Sequence, residues 1–286
     1  MHGYHDAPEL RHGANRAVGA TSALKGADPL LVPTIARFNV APVKSIGLHH
    51  PEELRLERHG AAGDRCFYLI GATGELFTGA KHGPLVRIRS EVDEDARRLT
   101  LRFPDGAVVE GSTDARGDAV TTDFWGRRVS GAEVPGPWSR AISDYAGAEV
   151  RLVRPDRPGD ARDSLPVSLL SRASAAELAE RSGDDAPRDS RRFRMLVELD
   201  GCSPYEEDTW DGRRLRLGEA LVKVMGPIPR CLVTTQDPGS GVKDFETLRA
   251  IARIRGRGAA GTLDFGVYGT VLEPGRARVG DPVALD

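Results

Sequence analysis

The chain has 286 residues, with 40 Lys and Arg against 42 Asp and Glu, a formal net charge of −2. That balance excludes a generic nucleic-acid or anionic-membrane binder, which carries a basic excess, and no stretch reaches the roughly 18 apolar residues of a spanning helix. Three widely spaced cysteines, Cys66, Cys202 and Cys231, form no disulfide framework and no CxxC pair, so a reducing, cytosolic compartment is expected. The length suffices for one large domain or two modest ones with a sizeable core.

Residues 1–33 carry His, Gly, Ala and charge without the apolar core of a signal peptide, and read as a loosely ordered extension. "TIARFNVAPV" (34–43) is the first strand-like run. "CFYLIGATGELFTG" (66–79) reads as a hairpin turning at Gly71-Ala-Thr-Gly74, and "RLTLRFPDGAVVEG" (98–111) as another around Pro104-Asp-Gly106. A short helix is expected from Ser139 through Tyr145. "RPDRPGDARDS" (154–164), rich in charge and Pro, reads as a linker or mobile loop dividing the chain into halves of similar size. In Ser174-Ala-Ala-Glu177 the spacing is that of a capping box, predicting a helix that ends near Gly183 with Leu178 and Ala179 inward.

"RRFR" (191–194) is read as a strand, whose alternation would send Arg192 and Arg194 to one face. "YEEDTWDG" (205–212) suggests a structured rim. "LRLGEALVKVMG" (215–226) and "FGVYGTVLEPGRARVGDPVAL" (265–285) are further strand runs. Between them Asp244 is expected to cap a helix, "FETLRAIARIR", with Phe245, Leu248, Ile251 and Ala252 on one stripe and Gly256 as its stop. With 33 Gly and 19 Pro, strands at this density imply a barrel or sandwich rather than alternating βαβ units: a mainly β fold with a few short helices.

Among candidate chemical groups Cys231 stands out, within "MGPIPRCLVTTQDPGSG" (225–241). Pro227 and Pro229 donate no backbone hydrogen bond and are expected to end a strand there. Arg230 places a positive charge next to the thiol, a setting that favours the thiolate. The alternative is a buried packing cysteine, a common fate of free thiols. Cys66 reads as core, and Cys202 follows a strand end with nothing to activate it. The histidines show no HExxH or Cys/His zinc spacing. No GxSxG, Walker loop or dinucleotide fingerprint is present. Of the basic residues 35 are Arg and five Lys, a bias that GC-rich coding also produces. Lys44-Ser45 at a strand end, Arg65 behind a glycine turn, and Arg192 with Arg194 together make a candidate pocket for a phosphate-bearing ligand.

Taken in order, "VAPVKSIG", "ERHGAAGDRCFYLIGATGELFT", "LPVSLLSRASAAEL", "RRFRMLVELDG", the segment from "YEEDTWDG" through "PIPRCLVTTQDPGSG", and "FGVYGTVLEPGRARVGDPV" resemble the MOSC proteins. That family is named after the C-terminal domain of molybdenum cofactor sulfurase. The two-domain form is similar to the mitochondrial amidoxime-reducing component and its bacterial relatives. The resemblance implies a β-rich N-terminal domain over residues 34–153, packed on a MOSC β-barrel over residues 154–286. A molybdenum cofactor (molybdopterin) is implied between them. It implies Cys231 as the metal ligand and catalytic residue. Lys44, Ser45, Arg65, Arg192, Arg194, Thr234 and Thr235 would hold the cofactor or line its site. The implied chemistry is two-electron reduction of a small N-hydroxylated substrate, with electrons from a separate reductase because no iron–sulfur or haem motif is visible. Thiolate ligation suits such a metal, and the redox step belongs to the cofactor.

The sequence departs from the family pattern where Arg-Phe-Arg is followed by Met195-Leu196 instead of Pro-Asn, and at Gln236, where an apolar residue is commoner. Two other readings follow from the same residues. One is a sulfur-handling protein carrying a persulfide on Cys231, supplied by a desulfurase. The other is a cofactor-binding or delivery module without turnover.

Overall fold

The computed structural model describes residues 32–286 apart from Glu94 and Ala259, so the expected extension lies almost wholly outside the described residues. In chain order the strands of the first half are β1 (Thr34–Phe38), β2 (Glu53–Glu57), β3 (Gly60–Ala61), β4 (Tyr68–Gly71), β5 (Arg89–Val92), β6 (Arg98–Arg102), β7 (Val108–Ser112), β8 (Ala119–Phe124), β9 (Arg127–Glu133) and β10 (Val150–Pro155). Those of the second are β11 (Val167–Ser171), β12 (Val197–Asp200), β13 (Arg214–Leu217), β14 (Ala220–Pro229), β15 (Asp264–Glu273), β16 (Gly275–Arg278) and β17 (Val283–Leu285). Helices are few: α1 (Trp138–Ala146), α2 (Arg172–Ser182) and α3 (Thr247–Arg255). Among the described residues no helix is long and apolar enough to cross a membrane.

Local chemistry accounts for most of these elements. In β6 the buried Leu99 and Leu101 alternate with exposed Arg98 and Arg102. Gly106, at φ 90°, then closes the turn into β7 by donating to Phe103 O at 3.0 Å. The helix expected at Ser174 begins one turn earlier. Ser171 has the extended backbone that a cap requires, and its hydroxyl accepts from the Ala173 amide at 3.1 Å. Ser174 is buried inside that helix and donates to Glu207 instead. Asp244 does not cap α3, because its carboxylate is taken by Arg192 at 3.0 and 3.1 Å; Gly256 does end the helix. Of the two prolines expected to end a strand, Pro229 is the last residue of β14 whereas Pro227 lies within it. The strand runs to Pro229 with register shifts at Pro227 and Pro229, bulges that remove the need for their missing donors.

The largest sheet has the order β1-β12-β11-β15-β14-β13-β17. Its two edges approach each other: Ile35 donates to Asp281 O at 2.9 Å and Val283 to Pro33 O at 2.7 Å, so the sheet nearly closes into a barrel. Phe38, Leu169, Val197, Val222 and Val267 fill its interior. The first half builds the sheets β4-β10-β9-β8 and β5-β6-β7 around a second core centred on Trp138, which is fully buried and donates its indole N–H to Leu99 O at 3.1 Å. The halves interlock. β1, from the start of the chain, pairs with β12, and β16, from near its end, pairs with β2.

The segment expected to be a mobile linker is ordered and occupied. Arg154 and Pro155 belong to β10, and Arg162 is buried, donating to Ala61 O at 3.2 Å and Asp64 O at 2.8 Å. Further along, residues 79–83 of the first half press on residues 236–241 of the second. Gln236 Nε2 donates to Gly79 O at 3.0 Å, and the backbones of Gly83 and Gly241 are so close that a Cβ on Gly83 would lie 2.0 Å from Gly241 O. Only glycine permits this approach. Gly83→Ala is therefore expected to lower stability by about 1–3 kcal/mol, read as a reduced urea midpoint; an unchanged midpoint would show that the seam is slack.

Candidate functional site

The candidate residues of the first half sit where β1 leads into the core. Lys44 is 6% exposed, tied by its amide to Phe67 O at 2.9 Å. Its ammonium lies 2.5 Å from Asp163 Oδ2 and 5.7 Å from the centroid of Phe124. Asp163 is held in turn by the indole N–H of Trp125 at 2.9 Å. Trp125, with Gly126, is the two-residue turn between β8 and β9. Arg65 binds the buried Asp64 at 2.6 and 2.7 Å and reaches Arg194 O at 3.5 Å. Arg194, from the second half, donates back across the seam to Ile46 O at 2.7 Å. The structure thus brings Lys44, Arg65 and Arg194 together, with Ser45 beside them.

Backbone conformation singles out the same group. Six non-glycine residues among those described have positive φ: Ser45, Arg65, Ala96, Trp125, Arg194 and Tyr205. Three were singled out by sequence, and a fourth, Trp125, anchors the carboxylate on Lys44. Left-handed backbone is costly for such residues and persists where the surroundings over-determine it, as ligand sites do.

The electrostatics are one-sided. Four cations, Lys44, Arg65, Arg162 and Arg194, meet two carboxylates, Asp64 and Asp163. Burial, opposed by Asp163 and reinforced by Arg65 and Arg194, pulls Lys44 below its ordinary value. Burial and then the Arg65 charge push Arg194 down to about 10. Burial acts to raise Asp64, but Arg65 and Arg162 outweigh it and hold the carboxyl below its usual range. The surplus of positive charge favours an anionic ligand. Two further polar atoms beside this cluster, Thr78 Oγ1 and Gln236 Oε1, are buried without a hydrogen-bond partner.

Cys231 is exposed, at the start of a 3₁₀ turn, Leu232–Thr235, and so is not a packing cysteine. Thr234 and Thr235 are buried. Their hydroxyls donate to Cys231 O at 2.9 Å and Leu232 O at 2.7 Å, so both shape the turn that presents the sulfur. The Arg230 guanidinium turns inward, donating to Phe193 O at 2.5 Å and contacting Met195 Sδ at 3.3 Å, 5.3 Å from the Phe193 centroid. Burial pushes it down to about 10 against the attraction of the Cys231 sulfur. Through Phe193 this contact joins the cysteine turn to Arg194; through Gln236 and Gly79 the same turn reaches Ser45, whose carbonyl lies 3.2 Å from where a Cβ on Gly79 would be.

The expected Arg-rich strand is not one. Residues Ser190–Phe193 form a 3₁₀ turn, capped by Asp189 and followed by left-handed Arg194, so Arg192 and Arg194 do not share a strand face. Arg192, 2% exposed, donates to Ala186 O, Thr234 O and Asp244 and fastens the cysteine turn from behind. Met195 and Leu196 are core residues, 1% and 2% exposed, and Asn39 from the end of β1 donates to Met195 O at 2.7 Å.

Cys66 and Cys202 are half-buried. Burial pushes their thiols up to about 11 and about 12, which leaves them inert. Sequence reasoning missed Asp163, Arg162 and Trp125. The Asp-Arg density of 160–163 was the available signal, but it equally fits a solvated loop. Among the described residues no group of three or more His, Cys, Asp or Glu side chains could hold a metal ion.

Burial acts to raise Asp163, but Lys44 outweighs it and holds the carboxyl below its ordinary 3.8. Its stabilisation is therefore present above that value and lost as pH falls through the folded pKa. Asp163→Asn should lower the stability at pH 7, read as a reduced melting temperature, by less than about 1 kcal/mol because the carboxylate is half exposed and screened. The gap to wild type should close in melts well below pH 3.8; a gap independent of pH would mean the carboxylate's charge is not what Lys44 needs.

Comparison with known proteins identifies the family. Residues 32–148 match the model of the MOSC N-terminal beta barrel domain and residues 156–284 that of the MOSC domain. The chain is 35% identical to the mitochondrial amidoxime reducing component 2 of Rattus norvegicus, over 88% of this chain and 83% of that protein. It is 26% identical to the mitochondrial amidoxime-reducing component 1 of Homo sapiens, over 89% and 83%. The molybdenum cofactor sulfurase of Oryza sativa subsp. japonica is 28% identical over 82% of this chain, a match that spans 32% of that larger protein. The chain belongs to the MOSC family, in the two-domain form shared with the amidoxime-reducing components.

Proposed function

We propose that this protein is a molybdenum-cofactor oxidoreductase that reduces a small N-hydroxylated compound with electrons delivered by a separate reductase. The observation that carries the reading is the pairing of an exposed thiol, Cys231, with an adjoining seam in which four cations face two carboxylates. The donor set fits the cofactor on both counts. A thiolate is a suitable ligand for a soft metal, and guanidinium forks with an ammonium suit a phosphate-bearing pterin.

In this reading Lys44, Arg65 and Arg194 hold the anionic end, with Ser45 alongside. Thr234 and Thr235 position the sulfur through the turn they close, and Arg192 braces that turn from within. The cofactor, when bound, supplies two-electron redox chemistry at molybdenum. The chain's part is to place it, to neutralise its negative charge and to leave the Cys231 side open to substrate. The names of the relatives, amidoxime-reducing components, support the substrate class. The domain division at about residue 154 follows the same reading.

The exposure of Cys231 also favours sulfur handling, in which the thiol carries a persulfide received from a desulfurase. One preparation separates the two. Protein made in a cofactor-competent host is expected to carry molybdenum by elemental analysis, and Cys231→Ala to lose most of that metal together with N-hydroxyl reduction. A metal-free protein whose intact mass shows an adduct of about 32 Da on Cys231 would replace the redox reading with sulfur transfer.

A further inference from the structure

A second cluster of basic residues lines a cavity that neither Cys231 nor the Lys44, Arg65 and Arg194 group borders. Arg87, Arg89 and Arg191 line a cavity of about 160 Å³ together with His50. No carboxylate lines it. Among the described residues neither Arg87 nor Arg89 forms an ion pair, and Arg89 is held only by Leu48 O at 3.2 Å. Arg191 is aligned by Asp189 at 2.5 and 2.8 Å, which fixes its fork. His50 is oriented by its Nδ1 contact with Phe38 O at 3.0 Å. Apolar surface completes the walls, Val86 and Pro104 from the first half and Pro238 from the second.

We infer that this cavity binds a phosphate group, either free or as a small phosphate monoester. Arg87 and Arg89, two guanidinium groups without an ion-pair partner among the described residues, share this space with the Asp189-paired Arg191, and their mutual repulsion is relieved by an anion with several acceptor oxygens. The volume falls below the roughly 300 Å³ at which cofactor-sized pockets begin. It therefore suits a head group with a short apolar substituent better than an enclosed whole nucleotide or pterin. Lys44, Arg65, Arg194 and Cys231 do not line it, so the inference stands apart from the redox reading. Both halves contribute to it, and Pro238 and Gly239 belong to the loop that follows the cysteine turn. An anion bound here clamps that loop to the first half.

The test is calorimetric titration of the full chain with inorganic phosphate and with phenyl phosphate, at low ionic strength. Arg87→Gln/Arg89→Gln should weaken binding by about tenfold or more for each lost charged contact. Arg194→Gln, which removes a cation from the other cluster, should leave the binding event that the double variant loses within about twofold, any further event that it removes belonging to the seam. Both replaced groups of the double variant are exposed, and its phosphate-free melting curve should match wild type. Equal affinity for the two ligands supports a free-phosphate site, and tighter phenyl phosphate a monoester site. No binding at millimolar concentration, unchanged affinity in the double variant, or loss in Arg194→Gln alone would each overturn the inference.

Discussion

An excess of positive charge held in a protein seam governs the rest of this structure. Lys44, Arg65, Arg162 and Arg194 are largely withdrawn from water, and Asp64 and Asp163 neutralise two of the four. In a region of low dielectric such an imbalance is unfavourable, and here it is imposed by backbone geometry. Ser45, Arg65 and Arg194 each occupy the left-handed region, and Arg194 is bound to the first half through Ile46 O. The fold maintains an arrangement that an anion from outside would relieve.

That arrangement depends on the two halves being unable to drift apart. The pairing of β1 with β12 and of β16 with β2 passes the chain across the boundary at both ends. The backbone contact between Gly83 and Gly241 sets the spacing beside the cysteine turn. With these fixed, the sulfur needs only local support, from the hydroxyls of Thr234 and Thr235 and from Arg192 behind them. Arg230 bonds to Phe193 O rather than standing as a free charge next to the thiol, so its contribution is to align the two segments that meet at the site.

The departure at Met195-Leu196 finds a physical explanation in packing. Both side chains are in hydrocarbon surroundings, Leu196 in the barrel core and Met195 against Phe265 and Phe193. Asn39, just after β1, supplies the amide that bonds Met195 O and Glu198. Polar contact at this position therefore comes from the first half of the chain.

Period-two alternation in β6, the glycine turns at Gly74 and Gly106, and the stops at Gly183 and Gly256 were all legible in the residues, because each depends on neighbours a few positions away. So was the distinctiveness of Cys231, Lys44, Arg65 and Arg194. Errors arose where a distant partner overrode a local preference. Asp244 left its cap for Arg192, the "RRFR" run became a turn closing on Ala186 and Thr234, and a Pro- and charge-rich loop was pulled down onto Lys44. The sequence by itself determined a β-rich chain with an unusual thiol and scattered cations. Only the tertiary structure decided which cations meet, since Lys44 and Asp163 are 119 residues apart and Arg65 and Arg194 are 129 apart. Such encounters are set by strand register and side-chain direction, which no short stretch of sequence encodes.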